Sequence, residues 1–275
     1  MSTVLVTGAG RGIGRAIALD LAGRGWQVHA GVRRPEDGDE LRRAHPAIQP
    51  LTLDVTATEQ IERLPEALGG RLDALVNNAG IVVGGPVECL SADGLRRQLD
   101  VNLVGQVAVT QAVLPLLRAA RGRIVFISSI SGRVAAPFMG AYAASKFALE
   151  GMADALRVEL RPWGIRVVLV EPGSIDTDLW RNVGQTVDEV EAGLTAEHRQ
   201  LYGRQISATR KLTARIAKQA APAEKVTAAV GEALGAARPK PRYVVGTDAK
   251  LQLAVKALLP DRLMDAVQAR VTGGR

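Results

Sequence analysis

Residues 3–34 read TVLVTGAGRGIGRAIALDLAGRGWQVHAGVRR, and this stretch decides the fold. Thr3 to Thr7 is β-branched and apolar and is broken by Gly8, which predicts a short buried strand. Ile13, Ile17 and Leu21 recur every four residues, which predicts an amphipathic helix behind the break. Gly8, Gly12 and Gly14 lie between the two. Glycines there let the backbone turn tightly and approach a pyrophosphate, while the helix N-terminus offers free N–H groups and a positive dipole end. Gly8, Arg11, Gly12, Ile13 and Gly14 are therefore candidate phosphate- and cofactor-binding residues.

Outward from this unit, short apolar runs alternate with helical segments. Strands are expected at 3–7, 27–32, 48–53, 74–77, 122–128, 166–170 and 242–245, with helices between them. That alternation predicts an α/β fold: a Rossmann-type, doubly wound parallel sheet of about seven strands flanked by helices. No linker interrupts the 275 residues, so one domain is expected over 1–275. Ligands of such sheets bind outside the carboxyl ends of the strands.

A second chemical signal is SSISGRVAAPFMGAYAASK, residues 128–146. Tyr142 and Lys146 are four apart in an Ala-rich, Pro-free run, so a helix puts both on one face. A phenol ionises near pH ~10, and a fixed ammonium one turn away favours the phenolate. The expectation is a Tyr142 pKa lowered by Lys146, making a proton donor or acceptor for a substrate oxygen near neutral pH. Ser129 is a hydroxyl able to hold that oxygen.

TGAGRGIG (7–14), LDV (53–55), NNAG (77–80), VNLVG (101–105), Ser129, YAASK (142–146) and EPGSIDT (171–177) follow one another in order over residues 1–180. The ordered set resembles the short-chain dehydrogenase/reductase family, in its short single-domain branch. The resemblance implies that Tyr142 is the general acid/base. Lys146 would tune it and bind the nicotinamide ribose, Ser129 would hold the substrate oxygen, and Asn102 would complete a proton relay through water. Ser129 is chosen over Ser128 and Ser131 because it stands thirteen residues before Tyr142, the family's usual spacing. By the same resemblance Asp54 and Val55 contact the adenine, and Asn78, Ala79 and Gly80 pass close to the cofactor. Pro172, Gly173, Ile175 and Thr177 seat the nicotinamide.

The second strand ends in Val32, followed by Arg33 and Arg34. An acid at this strand end selects NAD, whereas a nearby Arg accommodates the 2′-phosphate of NADP. Val32 stands where the acid would be, and no acid follows until Glu36. Arg11 and Arg33 are expected to fork the phosphate, so NADP(H) is expected over NAD(H). Arg34 reads as solvated surface charge.

Composition excludes several classes. Cys89 is the only cysteine, so there is no intramolecular disulfide, and the three His show no metal-ligand spacing. The net charge is +7, but Arg is scattered, aromatics are 3% and no nucleic-acid motif is present. No signal peptide and no apolar run of bilayer length are read, which gives a cytoplasmic expectation.

After Thr177 the motifs stop. Residues 178–221 are expected to form a substrate lid, with Leu194, Leu201, Ile206, Leu212 and Ile216 as its packing contacts. Phe138, Met139 and Trp180 are candidate pocket residues. The extension 247–275, reached through RYVVGTDAKLQLAVKALLPDRLMDAV, resembles the end of the retinol dehydrogenase and 17β-hydroxysteroid dehydrogenase branch. That implies a bulky apolar carbonyl or alcohol as substrate, with small polar carbonyls, or a non-catalytic dinucleotide sensor on the same fold, as alternatives. The family's pairing helices fall at 95–117 and 143–160, which implies a homodimer.

Overall fold

The computed structural model describes residues 2–177 and 183–273, with side chains given for all of these but residues 183–186. The first half runs β1 (Thr3–Thr7), α1 (Gly12–Gly23), β2 (Gln27–Val32), α2 (Pro35–Ala44), β3 (Ile48–Thr52), α3 (Thr58–Glu62), α4 (Leu64–Ala67) and β4 (Ala74–Asn77). It continues with α5 (Ala92–Leu99), a π-helical turn (Asp100–Val104), α6 (Gly105–Ala120), β5 (Arg123–Ile127), α7 (Gly140–Glu159) and β6 (Arg166–Pro172). The remainder is α8 (Val183–Ala192), α9 (Ala196–Lys218), α10 (Glu224–Gly235), β7 (Arg242–Val245), α11 (Thr247–Leu258) and α12 (Asp261–Val271).

All seven strands are parallel, in the order β3-β2-β1-β4-β5-β6-β7. The order reverses between β1 and β4, and the crevice at that switch point is where such sheets hold ligands. Alternation along each strand feeds two cores. Val4 and Val6 face Ile17, Leu21, Val226 and Val230 on one side. Leu5 and Leu75 face Val109, Val113, Leu117 and Leu149 on the other. A smaller cluster of Ile130, Val134, Ala249 and Met264 ties the C-terminal helices to the segment after β5.

Four strands form at the expected bounds, two differ at one end and β5 at both. β3 stops at Thr52 and β5 is confined to Arg123–Ile127, whereas β6 runs on to Pro172 because Pro172 lies in register with Val245 of β7. Proline lacks an N–H, and the next donor, Gly173 N, bonds Val245 O at 2.8 Å. The expectation that no run reaches bilayer length is corrected. Ala92–Ala120 is one continuous helical run of 29 residues, long and apolar enough by composition to cross a membrane. Its apolar face, including Val109, Val113 and Leu117, packs on the sheet, as a core helix does.

Of the packing contacts expected in the segment after Thr177, Leu194 and Ile206 are buried and Leu212 and Ile216 half-buried. Leu201 is not a packing contact: it is 57% exposed, because it lies on a different face of α9 from Ile206.

Candidate active site

The glycine turn is built by contacts across the switch point. Gly8 and Gly12 have φ of +64° and +56°, which side chains rarely adopt. A Cβ on Gly8 would lie 2.9 Å from Ala79 Cα, and one on Gly14 2.3 Å from Gly8 O. The turn can therefore hold nothing larger. Thr7 Oγ1 accepts from Asn78 N and Ala79 N, both at 3.0 Å. Asn78 Nδ2 donates to Thr7 O at 3.0 Å and Gly8 O at 3.1 Å. The Asn78 side chain is thus a clamp between β1 and β4. No side chain caps α1, and Arg11 at its cap position is extended, so the first-turn N–H groups face the crevice. Thr177 reaches over this turn: its Cβ and Cγ2 lie 3.7 Å from where a Gly12 Cβ would stand. An uncapped helix start behind a glycine cradle fits a dinucleotide's phosphates.

Arg11 at the start of α1 and Arg33 after β2 are exposed, and among the described residues neither forms an ion pair. Arg34 bonds Asp37 with Nε–Oδ2 at 3.0 Å, as a surface pair. Sequence reasoning missed the position of that Asp37. Its Oδ2 lies 2.7 Å from where a Gly10 Cβ would stand, so a carboxylate borders the glycine turn with Arg34 compensating it. Burial pushes the Asp54 carboxyl up. Hydrogen bonds from Thr56 N (2.9 Å) and Oγ1 (2.7 Å), with the charge of Arg33, outweigh that and hold it below the usual range. Val55 beside it is buried.

The candidate acid/base residues sit where β5 and α7 meet. Ser129 is extended, and its Oγ accepts from Ser131 N at 3.1 Å. Tyr142 and Lys146 fall on the first turns of α7, with Lys146 Nζ 5.8 Å from the Tyr142 ring centroid. Nζ donates to Ile127 O at 2.8 Å, so the end of β5 orients it. The electrostatics correct the sequence expectation. Tyr142 is half-buried, but protein crowds its hydroxyl closely enough that burial pushes its pKa up, against a hydrogen bond with Ser129 that pulls it down. Burial lowers Lys146 to about 8, opposed by the charge of Glu150. Sequence spacing placed the pair correctly but carried no desolvation, and desolvation wins at both groups.

Asn102 is buried in the π-helical turn. Its Oδ1 accepts from Ile81 N at 2.8 Å, and its Nδ2 donates to Ile81 O at 3.0 Å and Ser145 Oγ at 3.2 Å. Ser145 Oγ in turn donates to Tyr142 O at 2.7 Å. The Asn102 side chain therefore reaches the acid/base turn through backbone and Ser145, and not the Tyr142 hydroxyl or the Lys146 ammonium. Gly80, near this side chain, follows the end of β4.

With this geometry in place, comparison with known proteins is informative. The family profile described as short chain dehydrogenase matches residues 2–188. The chain belongs to the short-chain dehydrogenase/reductase family. It is 34% identical to the NADPH-dependent 3-dehydrocapnine reductase of Ornithobacterium rhinotracheale, over 97% of this chain and 96% of the relative. It is 37% identical to retinol dehydrogenase 5 of Mus musculus, over 96% of this chain and 86% of the relative. Among solved structures, a short-chain dehydrogenase from Streptomyces avermitilis superposes with a TM-score of 0.78 at 30% identity, covering 98% of this chain and 94% of that one. One from Burkholderia cenocepacia in complex with NADP gives 0.75 at 29% identity, covering 98% and 97%.

Behind Tyr142 and Lys146 of this short-chain dehydrogenase lies an ionic cluster that motif reading did not find. Glu150, one turn after Lys146, and Glu171, at the end of β6, are both buried. Arg242 Nε of β7 lies 3.0 Å from Glu150 Oε2 and 3.0 Å from Glu171 Oε1, and Arg133 adds a contact to Glu171 at 3.2 Å. Burial and the neighbouring Glu150 charge push the Glu171 carboxyl up, against the two arginines. The i,i+4 spacing of Lys146 and Glu150 was the available sequence signal.

Of the candidate pocket residues, Phe138 has φ +66°, strained for an aromatic residue. Its carbonyl accepts from Gly85 N at 2.8 Å, and its ring meets Tyr202 of α9 edge-on at 6.3 Å. Met139 beside it is half-buried. Trp180 lies outside the described residues. A cavity of about 210 Å³ opens between the segment after β4 and residues 189–194, lined by Val83, Pro86, Leu90, Val190 and Leu194 among others. Cys89 borders it, and burial followed by the Glu88 charge pushes its thiol pKa up, which suits a spectator. Among the described residues no group of three metal-ligating side chains converges.

Proposed function

We propose that this chain is an NADP(H)-dependent oxidoreductase that interconverts a carbonyl and a primary or secondary alcohol on a bulky apolar substrate. The observation that carries the reading is the meeting of Ser129, Tyr142 and Lys146 outside the carboxyl end of β5, beside the glycine crevice. The bound nicotinamide supplies or accepts the hydride. Tyr142, its pKa raised, stays protonated at neutral pH and is poised to donate a proton to a carbonyl oxygen. Ser129 Oγ holds that oxygen, and Lys146, fixed to Ile127 O, stabilises the phenolate left behind. In the reverse direction the same phenolate takes the proton of the alcohol.

NADP(H) over NAD(H) is supported by Arg11 and Arg33 beside a strand end that carries Val32 in place of an acid. The relatives' names, one NADPH-dependent and one in complex with NADP, support it further. An apolar substrate is supported by the cavity beside Phe138 and by the retinol dehydrogenases among the relatives. Residues 178–221 are assigned as the lid within a single domain over 1–275.

The test is initial-rate kinetics with NADPH and NADH on ketones and aldehydes of increasing apolar size. Highest kcat/KM on large apolar carbonyls with NADPH is the expected result. Best turnover of small polar carbonyls would overturn the substrate reading, and no turnover of any carbonyl or alcohol would overturn the enzyme reading.

A further inference from the structure

We propose that the C-terminal helices belong to the cofactor site, and that Asp248 is a positioning residue for the segment 173–177. The proposal rests on the nicotinamide-binding reading of that segment. Asp248 lies in the first turn of α11, seventy-four residues from Ser174, yet its Oδ2 accepts from Ser174 N at 2.8 Å. Its Oδ1 lies 2.4 Å from where a Cβ would stand on Gly173, and 2.4 Å from where one would stand on Gly246. Two glycines thus leave room for one carboxylate, and Gly246, at φ +107°, makes the turn that delivers it.

Backbone bonds hold the segment as well. Gly173 N donates to Val245 O, Ala221 N to Ser174 O, and Asp176 N to Ala221 O, each at 2.8 Å. Ile175 and Ala221 pair as an isolated parallel bridge. Of these four bonds only that of Asp248 comes from a side chain. The residue therefore sets a bond that other sequences of the same fold could lack.

An independent contact points the same way. Ala249, next to Asp248, and Met264 of α12 pack on Ile130 and Val134. Ile130 directly follows Ser129. One helix pair thus braces both segments that line the acid/base site, the one after β5 by apolar packing and the one after β6 by a hydrogen bond from Ser174 to a carboxylate. An ordinary first-turn acid would serve only the N–H groups of its own helix.

The experiment compares Asp248→Ala with Asp248→Asn. Amide hydrogen exchange of the peptide spanning 173–177 is read without cofactor, and NADPH affinity is read by fluorescence titration. The Ala variant is expected to exchange about tenfold faster in that peptide and to bind NADPH about tenfold more weakly. The Asn variant keeps an acceptor oxygen and is expected to restore both to within about threefold of wild type. Unchanged exchange in the Ala variant, or an Asn variant no better than Ala, would overturn the proposal. Should the wild type fail to bind NADPH, the functional reading fails, while the exchange measurement still decides whether Asp248 orders the segment.

Discussion

Residues 2–177 and residues 183–273 build one site by different means. In the first region function acts on the backbone: glycines stand where a Cβ would strike Ala79 Cα or Gly8 O, and strand ends deliver Ser129 and the end of the Ile127 peptide. Such constraints admit few residue types, so they are written as motifs. In the second region the site is reached from a distance, through Asp248 on Ser174, Ala221 on Asp176, and Arg242 on Glu150 and Glu171. Those contacts are single side chains or backbone pairings with no local pattern. A region that is unreadable in the sequence is therefore not a region without function.

The largest expected effect tests whether the first region alone carries the chemistry. Tyr142→Phe keeps the ring and removes the proton, so kcat is expected to fall by about a thousandfold. NADPH affinity should stay within a few-fold of wild type. Single-turnover rates with a responsive ketone check the first and fluorescence titration the second. A variant retaining a tenth of wild-type kcat would move the acid/base role elsewhere.

Next is cofactor choice, which the first region also controls. A charge-assisted contact to phosphate is worth about 1.5–3 kcal/mol. Replacing Arg11 and Arg33 by Ala is expected to erode the NADPH-over-NADH preference by about ten- to a hundredfold. Arg34→Ala should act through Asp37. Freed of its partner, that carboxylate at the glycine turn repels phosphate, and NADPH binding weakens by about two- to fivefold. Equal affinity of the wild type for both cofactors would reject the assignment.

The third effect joins the two regions through the ionic cluster. Lys146 loses its proton as pH rises through about 8, while Tyr142, pushed upward, keeps its own. Activity in the reductive direction is thus expected to fall on the alkaline side as the ammonium is lost. Glu150 is the cause that raises Lys146, so Glu150→Gln should move the alkaline limb to lower pH. A pH–rate profile of kcat for both proteins reads this directly. An unmoved limb would mean that Lys146 is not the group titrating there.

How much of this was legible follows from what each feature needs. Strand positions need only β-branched apolar runs and breakers, and Thr3–Thr7, Gln27–Val32, Ala74–Asn77 and Arg242–Val245 formed at their expected bounds. The Tyr142–Lys146 spacing needs only the helical period. The signs of their pKa shifts need burial, which spacing does not carry. Asn102 stands out in the sequence through its motif, but the bonds of its amide to Ile81 and Ser145 span 21 and 43 residues, which no local pattern carries. Leu201 fails for a simpler reason: an apolar residue on a long helix does not announce which face is covered.

The smallest expected effect on turnover concerns a surface of the first region. On α7, Phe147 and Met152 are 46% and 42% exposed, and Ala144, Ala148 and Gly151 are exposed around them. Leu95 on α5 and Val104 in the π-helical turn are exposed as well, at 39% and 55%. Small residues let a second helix approach closely, and the larger ones contribute apolar area, so this face is expected to pair with a second copy. Lys146 is bonded to Ile127 O of β5 and Tyr142 to Ser129 just after it, so pairing should not be required for the proton step. Phe147→Glu places a charge at the centre of the face. Sedimentation at micromolar concentration is expected to show a dimer for the wild type and a monomer for the variant, with kcat/KM changed by less than about threefold. A wild type that sediments as a monomer rejects the pairing. A monomeric variant that loses most of its turnover would instead mean that the partner helix holds α7, and with it Tyr142, in place.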